Sequence, residues 1–164
     1  MKIGFTGTQR GMTKFQKETL REVLELQKCS EFCHGDCIGS DAQANQIALD
    51  MGIRIFTIFP PNETKKRAFC FNYNKLKRGT DYYEIDVNEF DIARVKWMPE
   101  NTYLERNKYI VDSVEWMIAT PKEHEHTLRS GTWATIRYAW KKKKGITIIP
   151  PVERPDNESD TKTD

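Results

Sequence analysis

No apolar run in the sequence approaches the roughly 18 residues of a membrane-spanning helix, which excludes that class. There is no Gly-x-Gly-x-x-Gly and no Gly-Lys-Ser/Thr, so neither a dinucleotide fingerprint nor a P-loop is present. Cysteine is scarce, four residues with no Cys-x-x-Cys pair. That is no disulfide scaffold, and the cysteines read as reduced thiols. Charge of one sign is also lacking: the net is +2, without the basic excess of a nucleic-acid binder. The opening KIGF reads as a strand rather than a signal peptide, so a cytoplasmic protein is expected.

What is present is one ordinary domain. At 164 residues, 38% hydrophobic and 30% charged, the chain is long enough to bury a core without staples. Residues 1–151 are expected to form a single domain with an insertion at 62–100, followed by a tail over 152–164. The tail holds five acids against two bases and no apolar residue after Val152, so disorder is expected there. Its net of −3 leaves +5 for the body, which suits an anionic ligand.

Short apolar runs alternate with helical patterns. Residues 2–5, 31–34, 53–59, 115–119 and 146–149 read as strands, each stopped by Gly or Pro or by a turn. Thr13 and Gln16 have capping-box spacing and open a helix to about Lys28, with Leu20, Val23 and Leu24 on one face. Ser40 and Gln43 repeat that spacing before Ala44, Ile47, Ala48 and Met51. Residues 103–113 and 132–142 are the remaining helices. This alternation predicts an α/β fold, a Rossmann-like three-layer sandwich with a parallel sheet and strand order 3-2-1-4-5. Ligands of such sheets sit at the carboxyl ends of the strands, where the order reverses between strands 1 and 4.

Residues 62–100 break the rhythm, with seven aromatics among eight bases and seven acids. They read first as an elaborated crossover whose aromatics pack on the sheet or a second subunit. A lid over the ligand site is the other reading.

Four clusters fall at the carboxyl ends: Thr6 to Gly11, with Gly7, Thr8 and Gln9, after strand 1; Gly35 to Asp41, with Gly39 and Ser40, after strand 2; Tyr103 to Asn107, with Arg106, at the helix start before strand 4; and Arg129-Ser130-Gly131-Thr132 before the last helix. Two of them are strand-to-helix turns of glycine and small hydroxyls, whose free amides and helix dipole suit a phosphate. Thr132 and Thr135, three apart, are expected to face the same side.

These pieces, IGFTGT at 3–8, HGDCIGSDA at 34–42, YLERN at 103–107 and SGTWATIRYA at 130–139, resemble the SLOG superfamily and within it the YspA-like branch. This Rossmann-like group includes the Lonely Guy phosphoribohydrolases and the DNA-processing protein A fold. The resemblance implies a site for nucleotide-derived ligands, often in a homodimer or higher homo-oligomer. Its hydrolases cleave the N-glycosidic bond of a nucleoside 5′-monophosphate, using an Arg-Lys pair and a Gly-Gly-x-Gly-Thr-x-x-Glu turn. Arg106 matches the arginine and Gly131-Thr132 the Gly-Thr, but Asn107 stands for the lysine and Thr135 for the glutamate. Threonine neither stabilises an oxocarbenium-like transition state nor activates water at neutral pH. Asp36, Asp41 and Glu105 are the acids that could stand in.

The expected function is therefore binding of a nucleotide-derived small molecule by Gly7, Thr8, Gln9, Gly35, Gly39, Ser40, Asp41, Arg106, Asn107, Ser130, Gly131 and Thr132, as a sensor or sequestering protein. A nucleotide N-glycosidase is the alternative, and single-stranded nucleic-acid binding a third reading. No cofactor is expected. Cys29, Cys33 and Cys37, four apart with His34 between them, cross a helix end, a strand and a loop and are not read as a metal site. Glu123 to His126 reads as a solvated loop, and Lys141 to Lys144 as cations closing a helix.

Overall fold

The computed structural model describes residues 1–71, 76–79, 81–89 and 91–152. The acidic tail from residue 153 on, with Tyr73 and Phe90 of the insertion, lies outside the described residues.

The chain runs β1 (Lys2–Gly7), α1 (Lys14–Leu26), β2 (Glu31–His34), α2 (Ser40–Asp50), β3 (Ile55–Ile58), β4 (Leu76–Arg78), β5 (Tyr83–Asn88), β6 (Asp91–Trp97), α3 (Tyr103–Ser113), β7 (Trp116–Thr120), α4 (Gly131–Lys141) and β8 (Gly145–Ile148). One sheet holds the strands in the order β4-β5-β6-β3-β2-β1-β7-β8. The five expected strands, β1, β2, β3, β7 and β8, keep the expected 3-2-1-4-5 order and are parallel. The expectation of a wholly parallel sheet of five needs correction. The insertion adds β6 parallel to β3, then β5 and β4 as an antiparallel edge.

Strand alternation divides the core into two faces. On β2, Phe32 joins Leu20 and Leu24 of α1 and Ile47 of α2, while Cys33 joins Ile110 and Val111 of α3. On β7, Ile118 and Met117 divide the same way. Helices α1 and α2 thus cover one face, and α3 and α4 the other. The insertion's aromatics pack on the sheet: Phe71 meets Phe56 edge-on at 5.1 Å and Trp97 at 6.5 Å, and Trp97 meets Tyr83. On the opposite face of β6, Arg94 and Lys96 meet solvent, because no described helix covers that end of the sheet.

The first capping box is present. Gln16 N–H donates to Thr13 Oγ1 at 3.2 Å, and Thr13 N–H to Gln16 Oε1 at 3.0 Å. Buried Gln16 also donates to the carbonyls of Pro121 and Ile149, tying α1 to the ends of β7 and β8. The second box is not. Gly39, at φ +85, precedes α2 without a side-chain cap. Ser40 Oγ donates instead to the Thr8 carbonyl at 2.6 Å, and Gln43 Oε1 accepts from Met12 N–H at 2.6 Å. Those side chains make tertiary bonds between the first two strand-to-helix loops, and the tertiary partners win over the local ones.

Candidate functional site

The strand order reverses at β1, so a crevice opens where β1 and β7 end. A polar cavity of about 280 Å³ occupies it, lined by Thr8 and Gln9 after β1, Lys122, Glu123 and Thr127 after β7, Arg129 to Thr132 at the start of α4, and Tyr103. Ser130 caps α4 by accepting from Trp133 N–H at 3.2 Å. Two cations flank the turn. Arg129 is exposed, and Lys122 reaches Glu123 at 3.7 Å.

Five expected residues, Thr8, Gln9, Ser130, Gly131 and Thr132, line this cavity together. Gly7 lies beneath them, close against Thr120 and Ser40. Of the other six, Gly35, Asp41, Arg106 and Asn107 belong to a neighbouring buried cluster, while Gly39 packs against the Gln9 backbone and Ser40 bonds the Thr8 carbonyl. Arg106, 3% exposed, donates from Nη1 to the carbonyls of Gly35 and Phe59, from Nε to Asn107 Oδ1 and from Nη2 to Cys37 Sγ. Gly35 is required by close approach, since a Cβ there would stand 2.0 Å from Arg106 Nη1. Asp41, 5% exposed, accepts from Cys37 N–H at 3.1 Å. Burial pushes its carboxyl above the ordinary range, against the opposing pull of His34 and Arg106. Burial likewise raises the Cys37 thiol, with Asp41 adding and Arg106 opposing.

A strap from the insertion closes this cluster over. Asp36, at φ +54, accepts from Cys70 N–H through Oδ1 and from Arg67 through Oδ2 at 3.1 Å, while its carbonyl accepts from Ala68 N–H at 2.7 Å. Ile38 N–H donates to the Lys66 carbonyl. His34 is fully buried and receives Asp36 N–H on Nδ1, which places its proton on Nε2, toward Asn45 Oδ1 at 2.8 Å.

Thr135 does not face the α4 turn as its spacing with Thr132 predicts. Its Oγ1 donates to the Gly131 carbonyl at 3.1 Å, and it lines a crevice against α3 with Asn107 and Tyr138. The cysteine spacing gathers no metal set: Cys29 packs on the α1 side and Cys33 on the α3 side. Among the described residues no three metal-ligating side chains converge. A larger groove of about 560 Å³, lined by Lys2, Glu31, Thr57, Lys96 and Tyr109, runs along the uncovered sheet face beside α3. It takes in one expected residue, Arg106, whereas five expected residues line the smaller polar cavity, which is the candidate.

Sequence reading missed Lys122 and the pairing of Asp36 with Arg67, and it placed Tyr103 in a cluster without counting it among the binding residues. Lys122 follows the proline that ends β7, a position any strand-end lysine can hold, and Tyr103 opens the YLERN motif with no polar partner in sequence.

Comparison with known protein families finds no match, and comparison with curated proteins finds none. Two solved structures are similar in fold. The X-ray structure of DNA processing protein A (DprA) from Streptococcus pneumoniae superposes with a TM-score of 0.58 at 19% identity, covering 97% of this chain and 53% of that one. The X-ray structure of TM1055 superposes with a TM-score of 0.55 at 12% identity, covering 89% of this chain and 72% of that one. The chain thus spans about half the length of DprA. At these identities the likeness shows the fold alone: a Rossmann-like α/β domain. No helix among the described residues is long and apolar enough to cross a membrane.

Proposed function

We propose that this chain binds a nucleotide-derived small molecule, with its phosphate against the N-terminus of α4, as a sensor or sequestering protein. One observation carries the reading: Thr8, Gln9, Ser130, Gly131 and Thr132, from two loops far apart in sequence, line one polar cavity with Lys122 and Arg129 at its rim. The free amides of the first turn and the helix dipole favour an anion there, and two nearby cations add to the field. A homodimer or higher homo-oligomer belongs to the same reading.

Three features bear on the rival readings. Thr135 supplies no carboxylate and turns away from the cavity, which weighs against N-glycosidic hydrolysis. Glu123 is the acid that lines the cavity, and it pairs with Lys122 at 3.7 Å, while Asp41 is buried beside Arg106. Single-stranded nucleic acid requires a basic groove with several stacking aromatics; this cavity has Tyr103 alone.

The test is thermal shift and calorimetry against AMP, ADP-ribose, NAD and cyclic nucleotides. A ligand at a hundred times its Kd should stabilise the fold by about 2.7 kcal/mol, and Arg129→Glu should abolish the shift. Silence from every phosphate ligand would sink the reading. Steady, protein-proportional release of base, lost in Asp41→Asn, would replace it with the hydrolase.

A further inference from the structure

Tyr103 stands between the open cavity and the buried cluster. On one side its ring rests on Gly131, where a Cβ would lie 2.5 Å from the phenol oxygen. On the other side the Arg106 guanidinium is 5.0 Å from the ring centre, and Lys66 Nζ is 5.8 Å away. The phenol lies within the fields of Asp41, Arg106 and Cys37. No other ring lines the cavity, so this side chain forms the partition.

Three observations say that the space behind the partition is unfinished. Thr120 Oγ1, on a residue 0% exposed, has no hydrogen-bond partner, and Asn107 Nδ2, on a residue 5% exposed, has only a weak approach to the Tyr103 phenol. Buried polar groups are ordinarily satisfied, so unpaired ones call for a guest or a water. Arg106 spends four of its N–H groups on protein and keeps one on Nη2. The cavity in front, at about 280 Å³, lies at the lower edge of the roughly 300–1,000 Å³ of sites that enclose small organic ligands. The Tyr103 ring forms one of its walls.

We propose that Tyr103 sets the size of the ligand: seated on Gly131 it admits a phosphate-sized anion, and turned out it joins cavity and cluster into one site for a nucleoside 5′-phosphate. The sugar hydroxyls then meet the Asp41 carboxylate and the Asn107 amide, both acceptor and donor being close at hand. The ring is held by stacking and packing, and its hydroxyl makes no side-chain hydrogen bond of ordinary geometry to Asn107 Nδ2, so rotation breaks no strong bond. This inference rests on the proposed phosphate site, but it has a signature of its own.

Two measurements on the full chain test it. The first uses no ligand: maleimide labelling of Cys37, 4% exposed beside Arg106, followed by peptide mass spectrometry. Tyr103→Ala is expected to speed Cys37 labelling at least tenfold, while Tyr103→Phe keeps the ring and the slow rate. The second compares AMP with inorganic phosphate by calorimetry. Tyr103→Ala is expected to shift the AMP-to-phosphate affinity ratio at least tenfold toward AMP. Gly131→Ala, which forces the ring off its seat, is expected to move both readouts the same way. Unchanged Cys37 labelling in a folded Tyr103→Ala variant, or a parallel change in both affinities, would overturn the partition. Failure of wild type to bind either probe would overturn the phosphate site instead, with labelling still deciding what Tyr103 does.

Discussion

The loop from β2 to α2 and the turn into α4 are written in the same residues, glycines and small hydroxyls before a helix, yet they end up in opposite conditions. The first is closed. Arg106 lies on Gly35, Asp41 accepts from the Cys37 amide, Ser40 binds the Thr8 carbonyl, and the 66–70 strap covers the outside. The second is open, with Ser130 capping one amide and Gly131 and Thr132 lining a cavity. What separates them is the supply of internal partners. A turn is available to a ligand only where the fold has not already brought donors and acceptors to it.

The comparison breaks most sharply at Arg106. Arg106→Ala takes the shared donor from the Gly35 and Phe59 carbonyls and from Asn107 Oδ1, at about 1–3 kcal/mol for each buried group left unsatisfied. Urea unfolding should show that loss; normal stability with lost AMP binding would instead make Arg106 a ligand contact. Gly35→Ala is next, at about 1–3 kcal/mol for overpacking against a fixed guanidinium. Gly131→Ala should cost less, since the Tyr103 ring it meets can turn toward the cavity. Equal melting temperatures for the two variants would erase the distinction.

Asp41 sharpens the contrast through pH. Burial raises its folded pKa above the ordinary 3.8, so the folded chain holds that proton more tightly than the unfolded chain. Its stabilising contribution is full below 3.8 and is lost as pH rises through the folded value. Asp41→Asn has no such loss, so denaturant titrations should show it gaining on wild type as pH rises above 3.8. A constant difference over that rise would place the carboxylate in contact with water. The smallest effect belongs to Ser130→Ala, about 1 kcal/mol for a lost cap, read as a modest fall in Tm.

The five expected strands and four helices were legible because parallel strands of such sheets are short apolar runs and the helices between them carry periodic apolar faces. Strands β4 to β6 were not. In β6, Arg94 and Lys96 alternate with Ala93 and Val95 on a half-solvated strand, and the charges mask the pattern. The candidate site was half legible. Thr8, Gln9 and Ser130 to Thr132 converge as the loop rule predicts. The burial of Arg106 and the turning of Thr135 depend on which carbonyls lie within reach, and a sequence does not show that. Ser40 and Gln43 make the same point: a capping-box spacing was spent on partners about thirty residues away.

Strand β1 has one early neighbour and one late one. Ile3 pairs with Phe32 on one side and with Trp116 on the other. The second pairing closes a far longer loop, and such long-range strand pairs form slowly. The candidate cavity straddles that seam, with Thr8 from the early side and Lys122 and Gly131 from the late side. A chain still emerging during synthesis therefore owns half a binding site until β7 docks. On the proposed function, ligand capture would report completed assembly, and a phosphate compound present during refolding would act as a clasp on the last step.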